Sequence, residues 1–264
     1  MQKPRPGDWI HRFEYWLRRA SARHTLSTAG FRWTIHSANM VKTVRSLERS
    51  DPLMGAFFRD ASEADVFLDI GANFGVWTIP AAAGAPRLGH VIAIEPAPGP
   101  YWCLLKNLRL NNCADRCTPV AVAAGDHIGT TMFRIDTLDP GTGTSHVWSG
   151  GSAAHEPTGA LWSPEPIDIV VPLFTVDALI AAVGSPRPTM VKIDVEGHEG
   201  AVLSGMQHTI RNVRRLFVEI HPDRLPPGLS ATRLLEAIGA HGFSVRECQQ
   251  RGRQLHALCD RPHA

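Results

Sequence analysis

The sequence predicts an α/β protein with a mainly parallel sheet that is covered by helices on both faces. From residue 65 onward, short apolar runs alternate with segments of helical periodicity, and several of these runs are apolar throughout. Uninterrupted apolar runs are typical of strands buried on both faces, and strand–helix alternation is typical of a parallel sheet. The last two strand-like runs have little between them, which predicts an antiparallel hairpin at one edge.

Each predicted element has a local reason in the sequence. The strands are short runs rich in Val, Ile, Leu and Phe, and the helices show apolar residues at three- and four-residue spacing. In chain order the predicted strands are 66–70, 90–95, 118–123, 189–194, 215–221, 243–248 and 254–259. The predicted helices are 74–84, 99–111, 175–183, 199–212 and 230–241.

Residues 1–60 are predicted to form a helical extension in front of the main domain, 61–264. In residues 8–23 two tryptophans, a phenylalanine and a leucine share one helical face, while most of the arginines lie elsewhere. A second helix is predicted over residues 37–49. We expect the first helix to dock on the main domain or on a second subunit, as a homo-oligomer contact, rather than to lie on a membrane.

Residues 126–170 interrupt the strand–helix alternation with a stretch rich in Gly, Ser, Thr and Pro. Long irregular segments inside compact domains are usually functional, so we expect an insertion that covers the substrate as a lid. His146 and His155 lie in it and are candidate substrate contacts. An ordinary surface excursion is the alternative.

Composition excludes several classes of partner. The formal net charge of the 264-residue chain is +2, which is too small to indicate nucleic-acid binding. No apolar run is long enough for a membrane span, and no signal peptide is recognisable, so the sequence predicts a cytoplasmic protein without membrane insertion. The five cysteines have no zinc-site spacing.

The stretch "VFLDIGANFGVWTI" indicates a ligand-binding turn between a strand and a helix. Its pattern is Asp69-x-Gly71-x-x-x-Gly75. A dinucleotide fingerprint would need glycine at two further positions, which hold Asn73 and Val76, and the Gly-Lys-Ser/Thr of a phosphate-binding P-loop is absent. The ligand is therefore predicted to lack a pyrophosphate.

Glu95, at the end of the next strand, indicates what the ligand is. It follows Gly71 by 24 residues, where a carboxylate can accept hydrogen bonds from both ribose hydroxyls. An adenosine without phosphates but with an amino-acid tail is S-adenosylmethionine. Loop amides from Gly71 through Ala72 and Asn73 to Gly75 are expected to hold the tail carboxylate.

The remaining cofactor contacts are predicted from position alone. Asp69 is expected to hold the ammonium group of the tail, through water or by a hydrogen bond. The segment "VAAGD" follows the third strand, so Ala124, Gly125 and Asp126 are candidates for contacts to the adenine.

Five segments in this order resemble the FkbM-type family of S-adenosylmethionine-dependent methyltransferases. They are "FLDIGANFGVWT", "VIAIEPAPGPYWCLLKNLRLNN", "PVAVAAGDHIGTTMF", "MVKIDVEGHEGAVLSGM" and "LFVEIHP", within residues 60–222. The resemblance implies a doubly wound, Rossmann-like class I methyltransferase fold of seven strands with the last antiparallel. It also implies O-methylation of a sugar, polyketide or other natural-product or glycan acceptor, and hence a small-molecule or carbohydrate substrate.

The catalytic candidates lie where two neighbouring strands end. "IDVEGHE" supplies Asp194 and Glu196, and "VEIHP" supplies Glu219 and His221, which share one strand face. A hydroxyl needs a base, and Asp194, Glu196 or His221 could serve, alone or in combination. His221 is the favoured one because a free histidine has a pKa near ~6.5. Asp194, Glu219 and His221 also form an oxygen/nitrogen set that could hold Mg²⁺ or a related ion.

Three other functions stay open on the sequence. An NAD(P)-dependent oxidoreductase is disfavoured by Asn73 and Val76, and a non-enzymatic adenosine-binding module would not need the acids described above. An N-methyltransferase would carry a characteristic (Asn/Asp)-Pro-Pro-(Tyr/Phe) tetrapeptide, whereas this chain has "DVEG" at that place.

Overall fold

The computed structural model describes residues 25–48, 52–84, 88–137, 141, 143, 145–147 and 166–261. The strands are β1 (Thr25–Thr28), β2 (Phe31–Thr34), β3 (Val66–Ile70), β4 (His90–Ile94), β5 (Cys117–Val120), β6 (Ala123–Gly125), β7 (Gly129–Ile135), β8 (His146–Val147), β9 (Ile167–Thr175), β10 (Met190–Ile193), β11 (Arg215–Ile220), β12 (Ser244–Arg251) and β13 (Gln254–Asp260). The helices are α1 (Ala38–Glu48), α2 (Pro52–Phe57), α3 (Thr78–Ala83), α4 (Pro98–Leu110), α5 (Val176–Val183), α6 (Glu199–Ser204) and α7 (Ala231–Ala240).

The main sheet has seven strands in the order β12-β13-β11-β10-β3-β4-β5. The five strands from β11 to β5 are parallel, and β13 runs antiparallel to β11. β12 and β13 form the predicted hairpin, with β12 at the edge. The doubly wound fold class, the seven strands and the antiparallel last strand are therefore confirmed.

The order of the strands reverses at β3, from which the chain passes to β4 on one side and later to β10 on the other. In open α/β sheets a ligand binds at the carboxyl ends of the strands beside such a reversal. The ends of β3, β4 and β10 are the positions at which the sequence placed its motifs. The fold thus brings the glycine loop, Glu95 and Asp194 to one edge of the sheet.

Residues 126–170 differ from the predicted irregular insertion, because their described part contains strands. β7 pairs antiparallel with β9 over the length of β7, and β6 and β8 complete a four-stranded second sheet. Thr and β-branched residues in "GTTMFRI" and "IDIVV" favour strands, which the Gly- and Pro-rich stretch between them obscured. Most of that stretch, and the candidate His155, lie outside the described residues.

The N-terminal extension also differs from prediction, because it is not purely helical. β1 and β2 form a hairpin closed by Ala29 and Gly30, which have positive φ angles of 52° and 80°. The hairpin is held to α4, where Asn107 Oδ1 accepts from the Thr34 backbone N–H at 2.7 Å. The second predicted helix, 37–49, is confirmed as α1. Residues 8–23, and the oligomer contact predicted for them, lie outside the described part of the chain.

The extension shares its core with the main sheet. The fully buried Trp33 of β2 packs edge-on against Phe74, and Phe57 of α2 packs against Phe67 of β3. The guanidinium of Arg215, on β11, donates to the Asp260 carboxylate and to three backbone carbonyls. These belong to Ala56 and Phe57, at the end of α2, and to Arg59, just after it. A buried guanidinium needs partners for its donors, and the extension supplies three of them.

Two helices are shorter than predicted for a steric reason. α3 begins at Thr78 rather than at residue 74, because Asn73 and Gly75 have left-handed φ angles of 51° and 95°. α6 ends at Ser204, where Gly205 packs so closely on β6 that an added Cβ would lie 1.9 Å from the Gly125 carbonyl oxygen. A 3₁₀ turn, Thr209–Asn212, covers the end of the predicted helix.

Gly71, directly after β3, packs against the backbone of Asp194, directly after β10. A Cβ on Gly71 would lie 1.8 Å from the Asp194 carbonyl oxygen, and its φ of +80° disfavours any side chain. We predict that Gly71→Ala lowers the free energy of unfolding by roughly 3–5 kcal/mol, the sum of a backbone clash and left-handed strain.

Gly228→Ala is the matched control, because Gly228 has a φ of +87° but a Cβ added to it would meet nothing within 4 Å. Strain alone should cost about 1–2 kcal/mol there. Urea denaturation of both variants measures the difference. Equal losses would show that the close approach at Gly71 contributes nothing.

Candidate functional site

One cavity lies at the carboxyl edge of the sheet, between the main sheet and the second sheet. Its volume is about 330 Å³, which falls in the range of small-molecule sites. Its floor is formed by the ends of β3, β4 and β10, and its apolar roof by Phe133, Ile135, Val147, Ile167 and Ile169 of the second sheet. The roof therefore comes from the segment that the sequence assigned to a lid.

Glu95 lines the cavity with both of its oxygens oriented by backbone amides. Oε1 accepts from the Ala97 N–H at 2.7 Å and Oε2 from the Asn73 N–H at 2.8 Å. Burial raises the pKa of Glu95 to about 7, although these hydrogen bonds and the nearby Lys192 oppose the shift. Each carboxylate oxygen keeps a second acceptor position for a ligand hydroxyl.

The first acid of the motif, Asp69, has a different environment from the one predicted. It is fully buried and is not among the residues that line the cavity. Thr78 Oγ1 donates to its Oδ2 at 2.7 Å, and the Lys192 ammonium lies 3.2 Å from its Oδ1. Direct contact between Asp69 and a cofactor ammonium is not supported, because Asp69 already faces a protein cation and has no access to the cavity.

Lys192 joins the ends of β3 and β10. It stands opposite Asp69 in the parallel register, donates to the Gly71 carbonyl at 3.0 Å and lies 3.3 Å from Asp194 Oδ2. Burial alone would lower the pKa of Lys192, but the charges of Asp69, Asp194 and Glu219 raise it above its ordinary value. Lys192 is therefore a permanent buried cation beneath the glycine loop.

The other cofactor candidates divide into those that reach the cavity and those that support it. Gly71, Asn73 and Ala124 line the cavity, and the Oδ1 of Asn73 is buried without a hydrogen-bond partner among the described residues. The remaining candidates, Ala72, Gly75, Gly125 and Asp126, do not line it. Asp126 is more than half exposed and its carboxylate is bound by His127 Nδ1 at 2.7 Å, which argues against its predicted contact to adenine.

Asp194 and Glu196 both line the cavity at the end of β10. Glu196 has a left-handed φ of 57° and Gly197 a φ of 105°, so a tight turn directs the Glu196 side chain back across the strand ends. The Arg224 guanidinium donates to Glu196 Oε2, and His221 Nε2 lies 3.3 Å from the same atom. Burial raises the pKa of Glu196 above its ordinary value, against the opposing effects of His221 and Arg224.

His221 is enclosed by acids rather than open to the cavity. Its Nδ1 lies 2.7 Å from Oε1 of the fully buried Glu199, and its Nε2 faces Glu196 and, at 3.6 Å, Glu219. Burial alone would lower the pKa of His221, but hydrogen bonds to Glu196 and Glu199 raise it to about 11. The ring is therefore an imidazolium near neutral pH, which contradicts the prediction that it is the base.

Asp194, Glu219 and His221 do come together, as the sequence predicted for a metal site. One ligand atom from each lies within 4.8 Å of the other two. The oxygen/nitrogen donor set fits a hard divalent ion. Side-chain cations already lie beside the same acids, however. The Lys192 ammonium is 3.3 Å from Asp194 Oδ2, and His221 Nε2 is 3.6 Å from Glu219 Oε1.

Several residues of the site were not predicted from the sequence. Lys192 had a visible signal, because a lysine inside an otherwise apolar buried strand needs charged partners. Arg224 and Gln254, whose amide lies 3.1 Å from His221 Nε2, gave none, because only the folded chain brings them to Glu196 and His221.

Comparisons with known proteins find one family model and a curated methyltransferase that match this chain. A family model described as the methyltransferase FkbM domain matches residues 69–245. Hexuronic acid methyltransferase AglP of Haloferax volcanii is 26% identical over 190 residues, which make up 72% of this chain and 70% of that protein.

Solved structures give weaker likenesses. A methyltransferase FkbM from Methylobacillus flagellatus KT has 17% identity and a TM-score of 0.48, over 95% of this chain and 60% of that one. Precorrin-6y C5,15-methyltransferase from Geobacter metallireducens GS-15 has 13% identity and a TM-score of 0.47, over 81% of this chain and 87% of that one. Within the described residues, no helix has both the length and the apolar character needed to cross a membrane.

Proposed function

The chain belongs to the FkbM family of S-adenosylmethionine-dependent methyltransferases, and from this premise we propose that it methylates a hydroxyl group of a carbohydrate. The acceptor class rests on the relative that is named a hexuronic acid methyltransferase and covers most of both chains. The observation that carries the chemistry is the pair of carboxylates, Asp194 and Glu196, beside the cavity. Family membership decides against the oxidoreductase and the non-enzymatic alternatives.

The proposed cofactor position follows from the polar groups of the cavity. Glu95 would accept hydrogen bonds from the ribose hydroxyls through the acceptor positions that its backbone partners leave free. The methionine tail would lie over the loop at Gly71 and Asn73, which line the cavity near the end of β3. This placement directs the sulfonium and its methyl group towards Asp194 and Glu196.

Glu196 is the proposed base. It reaches the cavity, and its raised pKa makes it a stronger proton acceptor than an exposed carboxylate. In the transfer, Glu196 would take the hydroxyl proton, and S-adenosylmethionine would supply the methyl group to the deprotonated oxygen. His221 and Arg224 hold the Glu196 carboxylate in place, and Asp194 would orient the acceptor.

Oxygen is favoured over nitrogen as the methyl acceptor. The four residues after β10, "DVEG", include two acids and no aromatic side chain that could hold an amine by stacking. An alcohol must lose its proton to become a good nucleophile, and the carboxylates meet this requirement.

The reaction is expected to yield a labelled product. We predict that the protein transfers the methyl group of labelled S-adenosylmethionine to oligosaccharides that contain hexuronic acid or neutral hexose, detected as one added methyl by mass spectrometry. Glu196→Gln should lower kcat about 100-fold or more, because general-base catalysis typically supplies that factor. Affinity for S-adenosylhomocysteine should stay within a few-fold of the wild type.

Glu236→Gln is the matched control, because Glu236 is exposed on α7, away from the cavity. The proposal fails for the acceptor if no saccharide gains a methyl group although the cofactor binds. It fails for the base if Glu196→Gln turns over like Glu236→Gln.

The pKa of Glu95 predicts how cofactor binding depends on pH. A pKa of about 7 means that the carboxylate is mostly protonated at pH 6 and mostly ionised at pH 8. Because the ionised form is the better acceptor for ribose hydroxyls, the affinity for S-adenosylhomocysteine should rise roughly tenfold over this interval. Titration calorimetry at the two pH values measures it.

Glu95→Gln removes the titrating group while keeping one acceptor oxygen. This variant should bind about 1–3 kcal/mol more weakly at pH 8 and lose most of the pH dependence. Parallel pH profiles for the variant and the wild type would exclude Glu95 as the group that titrates.

A metal-assisted reaction is the second candidate, favoured by the clustering of Asp194, Glu219 and His221. A divalent ion held there would lower the pKa of the acceptor hydroxyl. We expect turnover to survive dialysis against EDTA, because Lys192, Arg224 and the protonated His221 already balance these acids. Activity that EDTA abolishes and Mg²⁺ restores would establish the metal-assisted reaction instead.

A further inference from the structure

The charged side chains in the described lining of the cavity are acidic. Among the residues that the structure describes, the lining contains the carboxyl groups of Glu95, Asp194 and Glu196, and it contains no lysine or arginine. An ionised carboxylate only accepts hydrogen bonds. The lining therefore suits the hydroxyls of a ligand, which donate, and repels a ligand carboxylate, which only accepts.

The cations beside these acids lie behind the lining and already have partners. Lys192 is almost completely buried and lies 3.2 Å from Asp69 Oδ1 and 3.3 Å from Asp194 Oδ2. Arg224 donates to Glu196, and neither cation is among the residues that line the cavity. A ligand carboxylate would therefore have to compete for these cations with the acids of the protein itself.

Acids outnumber cations in the charged group at this edge of the sheet. The cations are Lys192, Arg224 and the protonated His221, and the acids stay in excess when His256, at 3.3 Å from Glu219, is also counted as charged. S-adenosylmethionine carries a single net positive charge, which does not reverse this excess. The acids of the group are Asp69, Glu95, Asp194, Glu196, Glu199 and Glu219.

The roof of the cavity adds acids and apolar surface rather than a strong cation. Residues 136–170, which supply much of the roof, contain five Asp or Glu residues, two histidines and no lysine or arginine. The roof side chains of Phe133, Ile135 and Ile169 offer no hydrogen bond to an ionised group. Burying a carboxylate against them without a partner is costly, whereas the C–H faces of an uncharged sugar ring fit such a surface.

We propose that the sugar methylated by this protein is uncharged, a neutral hexose rather than a hexuronic acid, because the acidic lining and the apolar roof reject a carboxylate. The inference rests on the proposed function and narrows its acceptor. The hexuronic acid in the name of the relative describes that protein, whereas the charges described above are those of this chain. Selection of this kind works by repelling the wrong substrate.

A charge added at the roof tests the cause of the selection. Ile167 lines the cavity and is 46% exposed, so a lysine can be accommodated there and its ammonium can reach an acceptor. Val170→Lys is the matched control, because Val170 is 65% exposed on the opposite face of the same strand and does not line the cavity. Binding of S-adenosylhomocysteine verifies that both variants are folded.

Three acceptors separate charge from size. The first two are the saccharide that gains a methyl group in the assay described above and its counterpart of the same configuration, so that one is a hexose and the other a hexuronic acid. The third is the carboxamide of that acid, which has the size of the carboxylate without its charge. Competition between the acceptors gives the ratio of their kcat/KM values, and mass spectrometry locates the added methyl group.

The wild type and Val170→Lys should prefer the hexose to the hexuronic acid about tenfold or more in kcat/KM, since like charges at close range are strongly unfavourable. Both should methylate the carboxamide about as well as the hexose. In Ile167→Lys the preference should fall about threefold, the effect of one partly exposed ion pair. Added salt should narrow the preference of the wild type, because it screens the repulsion.

A wild type that methylates the hexuronic acid as well as the hexose would overturn the inference and leave the proposed function intact. The same holds if the two lysine variants show equal preferences, or if the carboxamide is as poor an acceptor as the acid. If no saccharide gains a methyl group although the cofactor binds, the inference and the proposed acceptor class both fail.

Discussion

The ammonium of Lys192 is the contact on which the geometry of the site depends. It is almost completely buried and lies between Asp69 and Asp194, on the neighbouring strands β3 and β10, while it also donates to the Gly71 carbonyl. Removing Lys192 would leave the buried Asp69 without its cation, which is a severe cost. The glycine loop and the acid that follows β10 are therefore fixed relative to each other before any ligand arrives.

The acids at the ends of β10 and β11 suit a reaction in which a positive charge disappears. If Glu196 is the base, as proposed, the loss of the sulfonium charge from the cofactor would be matched by the loss of the carboxylate charge of Glu196. The total charge of the site is thus the same before and after the transfer, and the buried cations need not move. Before the transfer, hydrogen bonds to Glu196 and Glu199 raise the pKa of His221 to about 11.

How far the sequence predicts this protein depends on whether a feature is local. The apolar run "VFLDI" was identified correctly as a strand because its signal lies within a few residues, and the parallel sheet follows from the alternation of strands with helices. The acid after β4 was placed at the cavity by the same kind of local signal. The second sheet was missed because its pairing partners, β7 and β9, are separated by a long Gly- and Pro-rich stretch. The hairpin β1–β2 was read as part of a helical extension, although its Ala-Gly turn was visible.

The role of individual site residues was less predictable than their location. His221 was placed correctly among acids, but its protonation depends on Glu199, which the sequence assigned to the start of a helix. Asp69 was expected to hold the cofactor ammonium, and only the folded chain shows that Lys192 lies against its carboxylate. These errors share one cause, because the charge environment of a buried group is set by residues from other strands.

The hydrogen bonds of Arg215 determine where an autonomous fragment of this chain can begin. The segment that matches the family starts at residue 69, yet the guanidinium on β11 is capped by carbonyls at the end of α2, and Phe67 packs on Phe57. A truncation at the family boundary would remove three of the carbonyls that accept hydrogen bonds from Arg215. It would also expose to water the aromatic side chains that pack on Phe57. Expression designs should therefore retain the chain from β1 onward, treating the hairpin and its two helices as structural parts of the catalytic unit.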